Sequence, residues 1–244
     1  MSAYVFVHGA WHGAWCWDKV VSLLERAGHK AIALDLPGHG RDDTPITRVT
    51  FEAYCNKVRE IVEAQPEPVI LVGHSMGGRV VTQVAELRPD KIKTLVYLAA
   101  ILLRNDENTI PADPDTGETF IDRSVITSDD GIYQTLREDA IKELLFHDCS
   151  DEDTNRAMAL LESRQASQPF TIPMRLTNEN FGRVRKVYIE CLQDKAVTPA
   201  QQRIMYTLTP CDKVISMSAS HSPFLSSPQE LANHLVSISK YEFA

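Results

Sequence analysis

Basic residues are in short supply: the 244-residue chain carries 25 Lys and Arg against 33 Asp and Glu, a formal charge of −8. A nucleic-acid surface needs clustered cations to displace the counterions of phosphate, so that class of partner is excluded. Small neutral or apolar molecules are the expected ligands. Cysteine is sparse as well. The five (Cys16, Cys55, Cys149, Cys191, Cys211) form no CxxC pair, and their odd number argues against a complete disulfide framework; reduced, mostly buried thiols are expected. The eight histidines show no metal-ligand spacing such as HExxH, and no metal or other cofactor is expected. No apolar run approaches a membrane span, and the opening MSAYVFVHGAW has neither the basic start nor the cleavage site of a secretory signal. The expectation is a soluble, cytoplasmic protein with no membrane association. Internal repeats and low-complexity tracts are also lacking. The sequence is silent on oligomeric state and allows a homodimer.

What is present points to one core. A hydrophobic content of 43% over 244 residues suffices for a single sizeable domain, and nothing divides it into two. Short apolar runs alternate with amphipathic stretches, the order of parallel strands joined by crossover helices. Tyr4–Val7, Ala31–Leu34, Val69–Val72, Leu95–Ala99, Val187–Ile189 and Val214–Met217 read as six buried strands. Asp18–Ala27, Phe51–Ala64, Gly78–Leu87, Pro199–Leu208 and Gln229–Ser239 read as helices. This predicts an α/β fold with a mostly parallel six-stranded sheet. The alternation breaks over about 102–183, where a Pro- and Asp-rich stretch gives way to the helical pieces Tyr133–Phe146 and Asp151–Gln165. Long excursions in compact domains are often lids, so an inserted helical cap is expected, with an ordinary helical subdomain as its alternative.

The sharpest local signal is Gly73-His74-Ser75-Met76-Gly77, directly after the run VILV and directly before the helical pattern GRVVTQVAEL. At a strand-to-helix elbow the serine is strained and its hydroxyl exposed at the carboxyl end of the sheet, while Gly73 and Gly77 let neighbouring segments pass close by. The N-terminus of the following helix points towards any oxyanion there. A serine hydroxyl is a poor nucleophile by itself, so a histidine base and an orienting acid are predicted, in the chain order serine, acid, histidine. His221, after the strand-like VISMSA, is the best-placed base. Asp194, after KVYIECLQ, is the acid, with Asp212 as the rival expected at the opposite end of the sheet. Acyl transfer also needs two N–H donors for its oxyanion. The residue after the nucleophile, Met76, supplies one, and the small-residue loop His8–Trp15 supplies the other, best from Ala10. In that loop Trp15 is expected in the core, Trp11 as a pocket wall, and His12 either as an organiser of the loop or as packing. Asp35, Gly38, His39 and Gly40 are read as structural. The apolar residues Leu102, Leu145, Phe146, Phe170, Met174, Phe181, Met217 and Phe224 suit a pocket wall or the core equally well.

Taken in order, VHGAWHGAW, DLPGHG, VGHSMGG, QDKAVTP and SHSPF resemble the α/β-hydrolase superfamily over essentially the whole chain. More narrowly the sequence is similar to the plant methylesterase and hydroxynitrile-lyase branch, including salicylate methylesterase-like proteins. The resemblance implies a catalytic triad of Ser75, Asp194 and His221, oxyanion donors at Ala10 and Met76, and hydrolysis of small carboxylic esters through an acyl-enzyme. The lyases of that branch carry a lysine after the catalytic histidine and a glutamate before the catalytic serine; here those positions are Ser222 and His74. Both departures favour an esterase over the lyase; a hydroxynitrile lyase or C–C-bond hydrolase on the same scaffold is the alternative within enzymology. A small-ligand receptor that keeps its triad is the alternative from outside enzymology.

Overall fold

A strand covered on both faces must be apolar at every position rather than at alternate ones, and the run before Ser75 has that character. The computed structural model describes residues 1–240, apart from the side chains of Phe120 and Ile121. In chain order the first half contains β1 (Ala3–Val7), α1 (Asp18–Arg26), β2 (Lys30–Leu34), α2 (Phe51–Glu63), β3 (Val69–His74), α3 (Gly77–Leu87) and β4 (Ile92–Leu98). A long excursion follows, holding α4 (Phe120–Ser124), β5 (Val125–Thr127), β6 (Tyr133–Leu136), α5 (Glu138–Leu145), α6 (Asp151–Leu160), β7 (Gln165–Ala166) and α7 (Gln168–Thr171). The chain then returns through β8 (Lys186–Cys191), α8 (Pro199–Leu208), β9 (Lys213–Met217), α9 (Pro223–Ser226) and α10 (Pro228–Lys240).

Six strands form one parallel sheet in the order β2-β1-β3-β4-β8-β9. From β1 the chain steps outward to β2 and then back to β3. Right-handed crossovers therefore put α1 and α2 on opposite faces, where α1 packs on α10 and α2 on α3. The fold class expected from the alternation is the observed one. Two details differ. The outer strands β2 and β9 are only half covered, because each has a neighbour on one side alone. Strand β4 begins three residues before the apolar run: its register against β3 shifts between Val69 and Ile70, and the exposed Lys93 at that irregularity hid the start.

The excursion departs further from expectation. Tyr133–Phe146 is not one helix: Tyr133–Leu136 forms β6, paired antiparallel with β5, and α5 begins only at Glu138. Leu136, Ala140 and Leu144 stand at helical spacing, but Leu136 ends a strand and only the other two lie on α5. Gly131, at φ +71°, closes the turn between β5 and β6 that makes the hairpin possible. Likewise Asp151–Gln165 splits. Ser150 caps α6 by accepting from Asp153 N, the helix ends at Leu160, and Gln165 begins β7 beside β6.

Candidate functional site

The sharp turn after β3 fixes the serine. Ser75 has φ +50°, a left-handed conformation that costs a non-glycine residue roughly 1–3 kcal/mol and persists only where the surroundings hold it. They do so through its carbonyl, which accepts from Gly78 N (3.0 Å) and Ile101 N (2.9 Å). A Cβ on Gly77 would stand 2.7 Å from the carbonyl oxygens of Val7 and His8, so only glycine lets α3 start this close to the end of β1.

Asp194 and His221 follow the carboxyl ends of β8 and β9, the same edge of the sheet from which Ser75 emerges. They are in direct contact, His221 Nδ1 lying 2.7 Å from Asp194 Oδ2. A carboxylate can only accept, so Nδ1 carries a proton; in a neutral imidazole the acceptor is then Nε2. Asp194 Oδ1 accepts from Ala196 N (2.8 Å) and Val197 N (2.9 Å), and Oδ2 also from Gln202 Nε2 (3.3 Å). The nucleophile candidate is tied to the base candidate through its neighbour: His74 Nε2 donates to the His221 carbonyl at 2.8 Å. Exposures of 7% for Ser75, 3% for Asp194 and 2% for His221 describe a nearly closed site. Asp212 lies elsewhere, accepting from Lys186 N (2.8 Å) at the first residue of β8.

The loop after β1 passes over the serine, where a Cβ on Gly9 would stand 2.8 Å from Ser75 Cβ. Ala10 follows it, and both Ala10 and Met76 are buried. His12 does organise this loop, its Nδ1 donating to Ala10 O (2.8 Å). Trp15 is not in the core. It is partly exposed and stacks on His12, while Trp17 is fully buried against Phe6 (4.8 Å between rings) and Phe224 (5.1 Å). The short 3-10 turn Ala14–Trp17 aims the later indole inward and leaves Trp15 on its outer side. Trp11 is buried, with Nε1 donating to Gln134 O (3.3 Å). Asp35 is structural: its Oδ1 accepts from Ala14 N (2.7 Å).

Sequence reasoning passed over four residues that hold these loops. Gln202 is fully buried; its Oε1 accepts from Cys191 N (3.1 Å), which turns its Nε2 to Asp194. In the excursion, His147 Nε2 donates to Gln193 O (2.9 Å), and Asp148 accepts from Ser220 N (2.8 Å) and the Ser220 hydroxyl. Adjacent residues thus grip the segments carrying Asp194 and His221. Gln165, also in the excursion, accepts from Trp11 N (3.2 Å). Gln202 stands in PAQQR and Gln165 in SRQAS, among other polar residues, so no local pattern marked either of them, nor His147 and Asp148. All five cysteines are free thiols, Cys149 and Cys211 partly exposed. Among the described residues no three His, Cys, Asp or Glu side chains are grouped to hold a metal ion, and no helix is long and apolar enough to cross a membrane.

Burial also sets the charge of the histidines around the site. It pushes the imidazoles of His8 and His74 well below their ordinary 6.5 and that of His12 to about 4. An unfolded chain takes up these protons between about pH 6.5 and pH 4 while the native protein refuses them. This stability is therefore complete above the unfolded value and lost as pH falls through the window. The urea midpoint should drop between about pH 7 and about pH 5 at unchanged m. A midpoint that is flat or rising on acidification would contradict the burial account.

Comparison with known proteins bears on this arrangement. A model of the alpha/beta hydrolase family matches residues 4–234. Putative methylesterase 11, chloroplastic, of Arabidopsis thaliana is 34% identical over 249 residues, covering 97% of this chain, which spans 64% of that protein's length. Norfluorocurarine synthase 2 of a Strychnos species is 32% identical over 262 residues, covering 97% of this chain and 95% of its own. Among solved structures, a pyrethroid hydrolase from Sphingobium faniae JZ-2 superposes with a TM-score of 0.87 at 28% identity, covering 99% of this chain and 98% of its own.

Proposed function

The chain belongs to the alpha/beta hydrolase family, and from that premise we propose that it is a serine hydrolase that cleaves small carboxylic esters through an acyl-enzyme. Ser75 is the nucleophile, His221 the general base and Asp194 the orienting acid, with the N–H groups of Ala10 and Met76 as the oxyanion hole. The observation that carries this reading is the 2.7 Å bond from His221 to Asp194 on the sheet edge from which the strained Ser75 emerges. Names among the similar proteins, a methylesterase and a pyrethroid hydrolase, support ester chemistry.

In this mechanism Ser75 Oγ adds to the ester carbonyl as its proton passes to His221 Nε2, and the tetrahedral oxyanion is met by two backbone donors. The imidazolium, stabilised by an Asp194 that stays ionised, protonates the departing alkoxide. Water, deprotonated by the same nitrogen, then releases the acid and restores the serine. The segment of about 102–183 serves as a cap on a single domain spanning residues 1–244, closing the site against bulk water.

Ester cleavage needs no additional cation, whereas expelling cyanide from a cyanohydrin gains from one beside the base. Ser222 carries no charge, and burial keeps His74 neutral. The expected result is Ser75-dependent hydrolysis of p-nitrophenyl acetate with no appreciable cleavage of mandelonitrile. Cyanohydrin turnover equal to or faster than ester turnover would replace the hydrolase reading by a lyase one.

A further inference from the structure

Besides Ser75, the site contains a second strained residue: Trp11, at φ +60°. A bulky side chain does not adopt that conformation without support, and the support comes from far along the chain. Gln165, fully buried on β7, accepts the Trp11 N–H on its Oε1 at 3.2 Å, and Glu162 N donates to Trp11 O at 2.8 Å. The orientation of the Gln165 amide is determined, because an N–H can only donate and the atom facing it must be the oxygen. The amide is held at its other end too, Nε2 donating to Tyr54 Oη (3.1 Å) and to Ala166 O (3.2 Å), while His39 Nε2 approaches Oε1 at 2.9 Å.

Two peptide units of the loop are thereby set. The Ala10–Trp11 unit is clamped at both ends, its carbonyl by His12 Nδ1 (2.8 Å) and its N–H by Gln165. The Gly9–Ala10 unit has its carbonyl held by His8 Nδ1 (2.8 Å), and the trans peptide turns the Ala10 N–H away from that bond, one residue after the Gly9 position whose Cβ would stand 2.8 Å from Ser75 Cβ. A side chain of the excursion thus completes the fixation of the segment that carries Ala10.

We propose that Gln165 is a positioning residue for the oxyanion hole, holding Trp11 in its left-handed conformation so that the Ala10 N–H stays directed at the reacting carbonyl oxygen. This deepens the hydrolase reading and rests on it. Loss of one oxyanion donor costs about 10²–10³ in kcat, so a donor misdirected rather than deleted should cost about 10- to 100-fold. The charge it meets exists only in the transition state, so KM should hold within about threefold.

The test compares wild type with Gln165→Leu and Gln165→Asn on p-nitrophenyl acetate, with a trifluoromethyl ketone as a mimic of the tetrahedral adduct. Leucine removes the acceptor; asparagine keeps the polarity but falls a methylene short of Trp11, guarding against a leucine variant that fails to fold. Both should lose kcat and ketone affinity in parallel at near-constant KM. Unchanged kcat in a folded leucine or asparagine variant would overturn the proposal, as would a loss carried by KM with ketone affinity intact. Failure of the underlying reading looks different: wild type itself would show no Ser75-dependent turnover and no inhibition by the ketone.

Discussion

Ser75→Ala abolishes ester turnover while the protein remains folded. The exchange removes one oxygen from a residue that is 7% exposed and leaves the turn's support, the Gly78 and Ile101 bonds to its carbonyl, untouched. Folding is therefore little disturbed. Catalysis loses the atom that forms the acyl bond, and burial pushes the thiols of Cys16 and Cys191 well above their ordinary range, so neither is a thiolate at neutral pH that could stand in for it. Oxyanion donors and binding alone sustain on the order of 10³–10⁴ over water, so a sensitive assay should detect a small residue of activity. Hydrolysis by the purified variant at near wild-type rate, with an unchanged circular dichroism spectrum, would exclude Ser75 as the nucleophile.

Asp194→Asn should come second in severity and far ahead of Asp212→Asn. At Asp194 the two backbone donors from Ala196 and Val197 demand an oxygen on the Oδ1 side. The new amide must then turn its NH₂ to His221, which can face that donor only by moving its own proton from Nδ1 to Nε2. The base is left in the unproductive tautomer, and in a serine-protease triad the same exchange costs about 10⁴ in rate. At Asp212 an amide oxygen can still accept from Lys186 N, at the far end of the sheet, so turnover should change little. Steady-state kinetics of both variants decides the matter. A larger loss from Asp212→Asn, with both proteins folded, would mean that the acid has been misassigned.

How much of this was legible in the sequence depended on how local each determinant is. The elbow at Ser75 is encoded within five residues, flanked by an all-apolar strand and a helix that signal their own periods. Asp194 and His221 could be found because each follows a strand and precedes a helix or turn, and chain order ruled out the histidines before Ser75. Their mutual contact at 2.7 Å was not readable. The excursion was misjudged where strand and helix share apolar spacing, as at Leu136, and where the hairpin turn was not recognised. Gln165, His147 and Asp148 escaped because their roles exist only through partners 154, 46 and 72 residues away. Trp15 and Trp17 show the limit at short range, since two residues on one turn differ in which side of the loop they face.

The most direct test of the central claim is the site of covalent trapping. Treated with diethyl p-nitrophenyl phosphate, the protein should gain a single diethylphosphoryl group by intact mass, peptide mapping should place it on Ser75, and ester turnover should fall in proportion to labelling. His221→Ala should slow that labelling severely, because the serine loses its base. An adduct on another residue, or full ester turnover after stoichiometric labelling of Ser75, would contradict the assignment of this chain as a Ser75-dependent hydrolase.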